Sequence, residues 1–165
     1  MKDLRDLLTE LGFDRVETYI QSGNVAFEAG KGAGKTLAAR IEDAIAARLG
    51  VTCAVVVLTR AELTRATAAN PFPEPEDPRF LHVVFRTCDL SPADRKSVET
   101  AAEKARTKAP ASRDEVKVIG RYLYLSTPDG LGRSELAAQL SRGVVGAGTA
   151  RNWATVRKLE AMLDG

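Results

Sequence analysis

The chain of 165 residues is 44% hydrophobic and 28% charged, enough apolar content for a packed core, which excludes a disordered segment. Its 24 basic residues against 22 acidic ones give a net charge of +2, without the basic excess of a dedicated nucleic-acid binder. No apolar stretch reaches membrane-spanning length and the charged opening MKDLRD has no secretion-signal pattern, so a cytoplasmic protein without membrane attachment is expected.

Leu4, Leu7, Leu8 and Leu11 share one face at helical spacing and predict a first helix that stops at Gly12. Val16 to Ile20 and Asn24 to Glu28 read as strands joined by Gln21, Ser22 and Gly23, where Gly23 supplies the positive φ of a tight hairpin. The glycine-rich stretch from Ala29 to Gly34 leads into a helix through Leu37, Ile41, Ile45 and Leu49, closed by Gly50. Val51 to Leu58 is a continuous apolar run and predicts a strand covered on both faces. Thr59 with Glu62 forms a capping-box pattern that opens a short helix to Ala69.

Asn70 to Pro78 holds four prolines in nine residues, which neither helix nor central strand accommodates, and it marks a boundary between residues 1–70 and 71–165. Beyond it, Phe80 to Arg86 alternate as a strand, and Ser91, Pro92 and Asp94 open a helix to Lys108. Glu115 to Ile119 and Tyr122 to Ser126 then pair around Gly120 and Arg121, and Thr127 to Gly130 form a turn. A helix from Gly132 to Leu140, the glycine-broken GVVGAG and a last helix from Asn152 to Leu163 complete the chain. The order predicts an α+β protein of two ferredoxin-like (α/β plait) subdomains. The first subdomain, residues 1–70, lacks its leading strand. That strand is central in a plait, so Asn24 to Glu28 and Val51 to Leu58 are expected to face each other across a gap, a route to strand exchange in a homo-oligomer.

Several segments together resemble one bacterial family, the domain of unknown function 1697. They are TYIQSGNV (Thr18 to Val25), NPFP (Asn70 to Pro73), LHVVF (Leu81 to Phe85), YLYLSTPDGLGRSEL (Tyr122 to Leu136) and TARNWATVRKL (Thr149 to Leu159). The resemblance implies two ferredoxin-like subdomains side by side and implies no activity. Members of that family begin earlier, with a strand and a glycine-containing loop. A misplaced or truncated start is therefore expected at Met1. The family also tends to carry lysine where this chain has Glu135 after Ser134.

The side chains that carry chemistry are few. Cys53 and Cys88 each sit in an apolar run and read as small buried thiols. With His82 as the one histidine, no metal site and no cofactor are expected. The segment AGKGAGKT (Ala29 to Thr36) imitates a phosphate-binding loop, but Ala29 stands where such a loop needs glycine, and a flexible linker is the expectation. His82 has no accompanying nucleophile motif and reads as structural. Trp153, Val156, Leu159 and Leu163 form the apolar stripe of the last helix, with Trp153 as a core anchor that Arg157 is placed to cover.

Two polar groupings remain. At the hairpin tip the turn requires Gly23 but not Gln21 or Ser22 as such, so Gln21, Ser22 and Asn24 are ligand candidates. Arg133 with Ser134, and Thr149, Arg151 and Asn152, lie at two predicted helix starts, where free N–H groups and the helix dipole attract anions. Glu135 is the internal alternative partner for Arg133. With Lys158 these residues suggest a binding module for an anionic ligand, a small molecule or a nucleic-acid backbone, in a cleft between the subdomains. A small enzyme acting on a phosphorylated or carboxylated substrate is the second reading, weakened by the lack of any nucleophile–base pair. A structural or partner-binding protein is the third.

Overall fold

The computed structural model describes residues 1–30, 34–142 and 148–164. The fold is α+β, with two separate sheets, and the chain divides into two compact units. One comprises residues 1–64 with 157–165, and the other residues 65–156.

In the first unit, helix α1 (Lys2–Glu10) precedes a hairpin of β1 (Asp14–Tyr19) and β2 (Asn24–Glu28), followed by α2 (Gly34–Leu49). The leucine spacing of α1 turns Leu7 and Leu8 inward, where they meet Phe13, Ile41 and Ile45 in one apolar cluster. Phe13 and Phe27 stack with ring centroids 4.7 Å apart, which ties the hairpin to the same cluster. The end of the first predicted strand is shifted: Ile20 lies beyond β1 in the turn, at φ 51, and Gly23 takes φ 75. A β-branched residue in the left-handed region is strained by about 1–2 kcal/mol. The tempting loop at Ala29 to Thr36 falls largely on residues 31–33, outside the described residues.

The apolar run Val51 to Leu58 is not a strand and is not buried, contrary to its composition. Residues 51–54 are exposed, residues 55–58 are half-buried, and the sheet of this unit contains β1 and β2 alone among the described residues. A strand needs a hydrogen-bonded ladder as well as an apolar sequence. Here the Val55 N–H is taken instead by Oε1 of Glu42 from α2, at 2.7 Å. Among the described residues no second strand therefore faces β2 across the expected gap. Cys53, in this run, is exposed, and so is Cys88, in the loop after the next strand; neither is the buried thiol its neighbours suggested.

Helix α3 (Arg60–Ala68) opens with the predicted capping box: Thr59 Oγ1 accepts from the Glu62 N–H at 3.2 Å, and Glu62 Oε2 accepts from the Thr59 N–H at 2.8 Å. The second unit then builds β3 (Leu81–Arg86), α4 (Pro92–Lys108), β4 (Glu115–Ile119), β5 (Tyr122–Ser126), α5 (Glu135–Ser141) and β6 (Gly148–Asn152). Helix α6 (Trp153–Met162) follows directly. The strands form one antiparallel sheet in the order β4-β5-β3-β6. Ser91 and Asp94 cap α4 reciprocally, as their spacing predicts. Strand β6 occupies residues expected to be a helix lead, so the second predicted helix start begins only at Trp153. The glycine-broken segment before it falls largely on residues 143–147, outside the described residues.

Alternation gives this sheet two unlike faces. One carries Val84, Leu123 and Leu125 and packs on Val98, Ala101 and Ala105 of α4 and on Leu136 and Leu140 of α5. The other carries Leu81, Val83 and Tyr124, all at most 1% exposed. Tyr124 donates its hydroxyl to the Ala66 carbonyl at 2.6 Å, and burial with the neighbouring Tyr122 pushes its pKa up to about 12. The proline-rich segment is part of the same unit. Phe72 lies under the Lys117 ammonium at 4.8 Å, and Glu74 accepts from the Trp153 indole N–H at 2.8 Å. Trp153 is thus a core anchor, as expected, whereas Arg157 pairs with Glu160 at 2.7 Å.

Candidate functional site

The face of the sheet toward α5 is not filled. A cavity of about 690 Å³ opens there, within the range that small-molecule sites occupy. Its walls come from the inward positions of β3 and β5 (His82, Val84, Leu123, Leu125), from Ala150 of β6, and from Ala137, Ala138 and Leu140 of α5. The volume has a sequence cause. Three of the positions that face one another across it are alanines, too short to meet in the middle, while the four-residue spacing of Leu136 and Leu140 secures α5 to the core beside it. Leu131, Gly132 and Ser134 border one end.

His82 is the polar exception among these walls. The ladder pairs it with Leu125 on one side and Asn152 on the other, so β3 places it on the same face as Val84. Its Nδ1 is buried with no hydrogen-bond partner, and the side chain makes no hydrogen bond to the described residues. Burial holds its pKa below the ordinary 6.5, because the charged imidazolium is the form that loses most hydration. The two serines in the lining are already engaged with helix backbone. Ser134 Oγ accepts from the Ala137 N–H at 2.9 Å as the cap of α5, and Ser141 Oγ donates to the Ala138 carbonyl at 3.0 Å.

The residues expected from sequence to bind a ligand are spread among different places. Gln21, Ser22 and Asn24 belong to the first unit, at its hairpin tip. Asn24 is buried and its Nδ2 donates to the Tyr19 carbonyl at 3.3 Å and to Ser22 Oγ at 2.8 Å, which stitches the turn. Lys158, also in that unit, is exposed beside a more polar cavity of about 540 Å³. The ion pairs Arg15–Glu28 (3.0 Å) and Arg60–Asp164 (2.5 Å) occupy four of the other charges of that lining, which also includes Glu17.

In the second unit, alternation along β6 separates Thr149 and Arg151 from Asn152. Arg151 pairs with Val83 and points away from the His82 face; its guanidinium donates to Thr149 Oγ1 and to the Ala150 carbonyl at 2.8 Å. Burial lowers its pKa. Asn152 shares the His82 face and caps α6, Oδ1 accepting from the Thr155 N–H at 2.9 Å. Arg133 is exposed between two cavity-lining residues. Glu135, its expected internal partner, instead pairs with Lys108 at 3.0 Å and accepts from Gln139 at 2.6 Å, contacts that hold its carboxyl below its usual pKa.

Of the sequence candidates, only Ser134 lines this cavity. The feature that composition concealed is His82, an imidazole at an inward register position of a strand otherwise filled by apolar residues. The sequence signal was the alternation itself, which places residue 82 with 84. Among the described residues no group of histidine, cysteine and carboxylate side chains is arranged to hold a metal. No helix among them is long and apolar enough to cross a membrane.

Comparison with known proteins agrees with this architecture. The profile of a family described as protein of unknown function (DUF1697) matches residues 1–124. Among solved structures, a conserved bacterial protein of Streptococcus pneumoniae superimposes with a TM-score of 0.71 at 19% identity, over 99% of this chain and 88% of that one. At that identity the likeness concerns the fold. No protein with a curated description matches.

Proposed function

The chain belongs to the DUF1697 family of proteins of unknown function, and from that premise we propose that it is a binding module whose small-molecule ligand enters the cavity between β3, β5, β6 and α5. One observation carries this reading: a roomy apolar cavity whose wall holds a half-buried imidazole with an unpartnered nitrogen. Leaving such a polar atom unsatisfied costs stability, and sites tolerate that cost where an occupant gains from it. Binding rather than catalysis is favoured because neither lining serine is hydrogen-bonded to His82: Ser134 Oγ accepts from the Ala137 N–H and Ser141 Oγ donates to the Ala138 carbonyl. The proposed site lies within residues 65–156. A cytoplasmic location is part of the same reading.

An anionic ligand, the first expectation from the sequence, is kept as the alternative reading, favoured by Arg133, which stands next to Gly132 and Ser134 of the lining while Glu135 is held by Lys108. We also read two ferredoxin-like subdomains, residues 1–70 and 71–165. The antiparallel β4-β5-β3-β6 order with helices after β3 and β5 supports the second of them.

The test is a thermal-shift screen of small apolar and acidic fragments against the wild type and against Ala150→Leu, which fills the cavity from an exposed position. Fragments should raise the melting temperature of the wild type and leave the folded variant unmoved. Equal shifts in both proteins would place the ligand elsewhere.

A further inference from the structure

Among the described residues, the lining of the cavity contains no lysine, arginine, aspartate or glutamate. An ion entering it would lose hydration without meeting a counter-charge in the wall, which selects against charged occupants. The polar groups a guest can meet are the imidazole of His82 and the remaining capacity of two hydroxyls. Ser134 Oγ already accepts from the Ala137 N–H and Ser141 Oγ already donates to the Ala138 carbonyl, which leaves His82 as the lining side chain with no hydrogen bond to the described residues.

The protonation of that imidazole follows from its burial. A neutral ring carries one N–H, on Nδ1 or on Nε2. Placing it on Nδ1 would seal a donor away from every acceptor, the arrangement that folded proteins avoid most strictly; a sealed lone pair is the lesser cost. The proton therefore sits on Nε2, and the half-buried ring, which is part of the cavity lining, offers a neutral N–H donor. Burial keeps the ring uncharged, so it does not call for an anion.

Resting on the reading of this cavity as a ligand site, we infer that its occupant is an uncharged, largely apolar molecule presenting a carbonyl-type oxygen that accepts a hydrogen bond from His82 Nε2–H. The apolar body fills the space between Leu125, Ala138 and Ala150, and the oxygen fixes its orientation.

The chain has a single histidine, so long-range 1H–15N spectra report one imidazole. Cyclohexanone, its hydrocarbon isostere methylenecyclohexane and cyclohexanecarboxylate would be titrated while cavity amides and the His82 nitrogens are followed. The free protein should show the Nε2–H tautomer. Cyclohexanone should bind about fivefold tighter than the hydrocarbon, the worth of one net hydrogen bond. That preference should vanish in His82→Phe. Equal affinities for ketone and hydrocarbon, an Nδ1–H tautomer, or tightest binding of the carboxylate would each overturn the inference while leaving the cavity as the site. No response of the cavity amides to any of the three would overturn the site itself, and the inference with it. If His82→Phe fails to fold, the wild-type tautomer and the wild-type affinity ratio decide alone.

Discussion

The two units begin from similar ingredients and end differently. In residues 65–156, every strand finds a ladder partner, and Val83, Leu123 and Tyr124 are sealed at 1% exposure or less. In the first unit, Val51 to Leu58 is as apolar as any strand of the second, yet has no ladder and leaves Val51 51% exposed. The difference teaches that apolar sequence makes a strand only where a neighbouring backbone can receive it. The unit with the four-stranded sheet also carries an apolar cavity, lined by core residues of β3, β5 and α5, whereas the cavity of the first unit is lined largely by charged side chains.

Substitutions can break or sharpen this contrast. Leu123→Ala should destabilise the protein by about 2–5 kcal/mol, since it removes a fully buried side chain from the sheet. Val51→Ala should cost less than about 0.5 kcal/mol because that side chain is already in water. Denaturant titration measures both, and equal losses would erase the distinction. Tyr124→Phe should cost about 1–2 kcal/mol by leaving the Ala66 carbonyl buried without its donor. In the other unit, Ile20→Asn should stabilise by about 0.5–1 kcal/mol, relieving a β-branched residue from φ 51; a loss of stability there would mean that the exposed isoleucine is held by contacts rather than strained.

The smallest effect is one of pH. The folded pKa of His82 lies below 6.5 while the unfolded chain titrates at its ordinary value, so below that value the unfolded state binds more protons. Stability should therefore decline as pH falls from about 6.5 toward the folded pKa, with no His82 contribution to the slope above it. His82→Phe should flatten that slope, and an unchanged slope would assign it to other groups.

Much of the fold was legible. The capping boxes at Thr59 and Ser91 and the hairpins at Gly23 and Gly120 are local devices, decided by residues a few positions apart, and they appear where expected. What was not legible depends on distant partners. Nothing within Val51 to Leu58 records whether a neighbouring strand exists. Strand β6, Gly-Thr-Ala-Arg-Asn, has no apolar alternation and is a strand because the edge of β3 accepts it. The site was missed for the same reason. Its small side chains come from β6 and α5, and only the three-dimensional packing puts them opposite His82. The polar residues that looked functional, Asn24, Ser134 and Asn152, satisfy turns and helix ends, and of the three Ser134 also lines the cavity.

The most direct measurement is a map of backbone amide shifts in the wild-type protein on titration with cyclohexanone. The account predicts shifts concentrated at His82, Leu125, Ala138 and Ala150, with residues 1–64 unmoved. Shifts centred on the hairpin tip or on the Lys158 cavity, or none at any concentration reached, would contradict it.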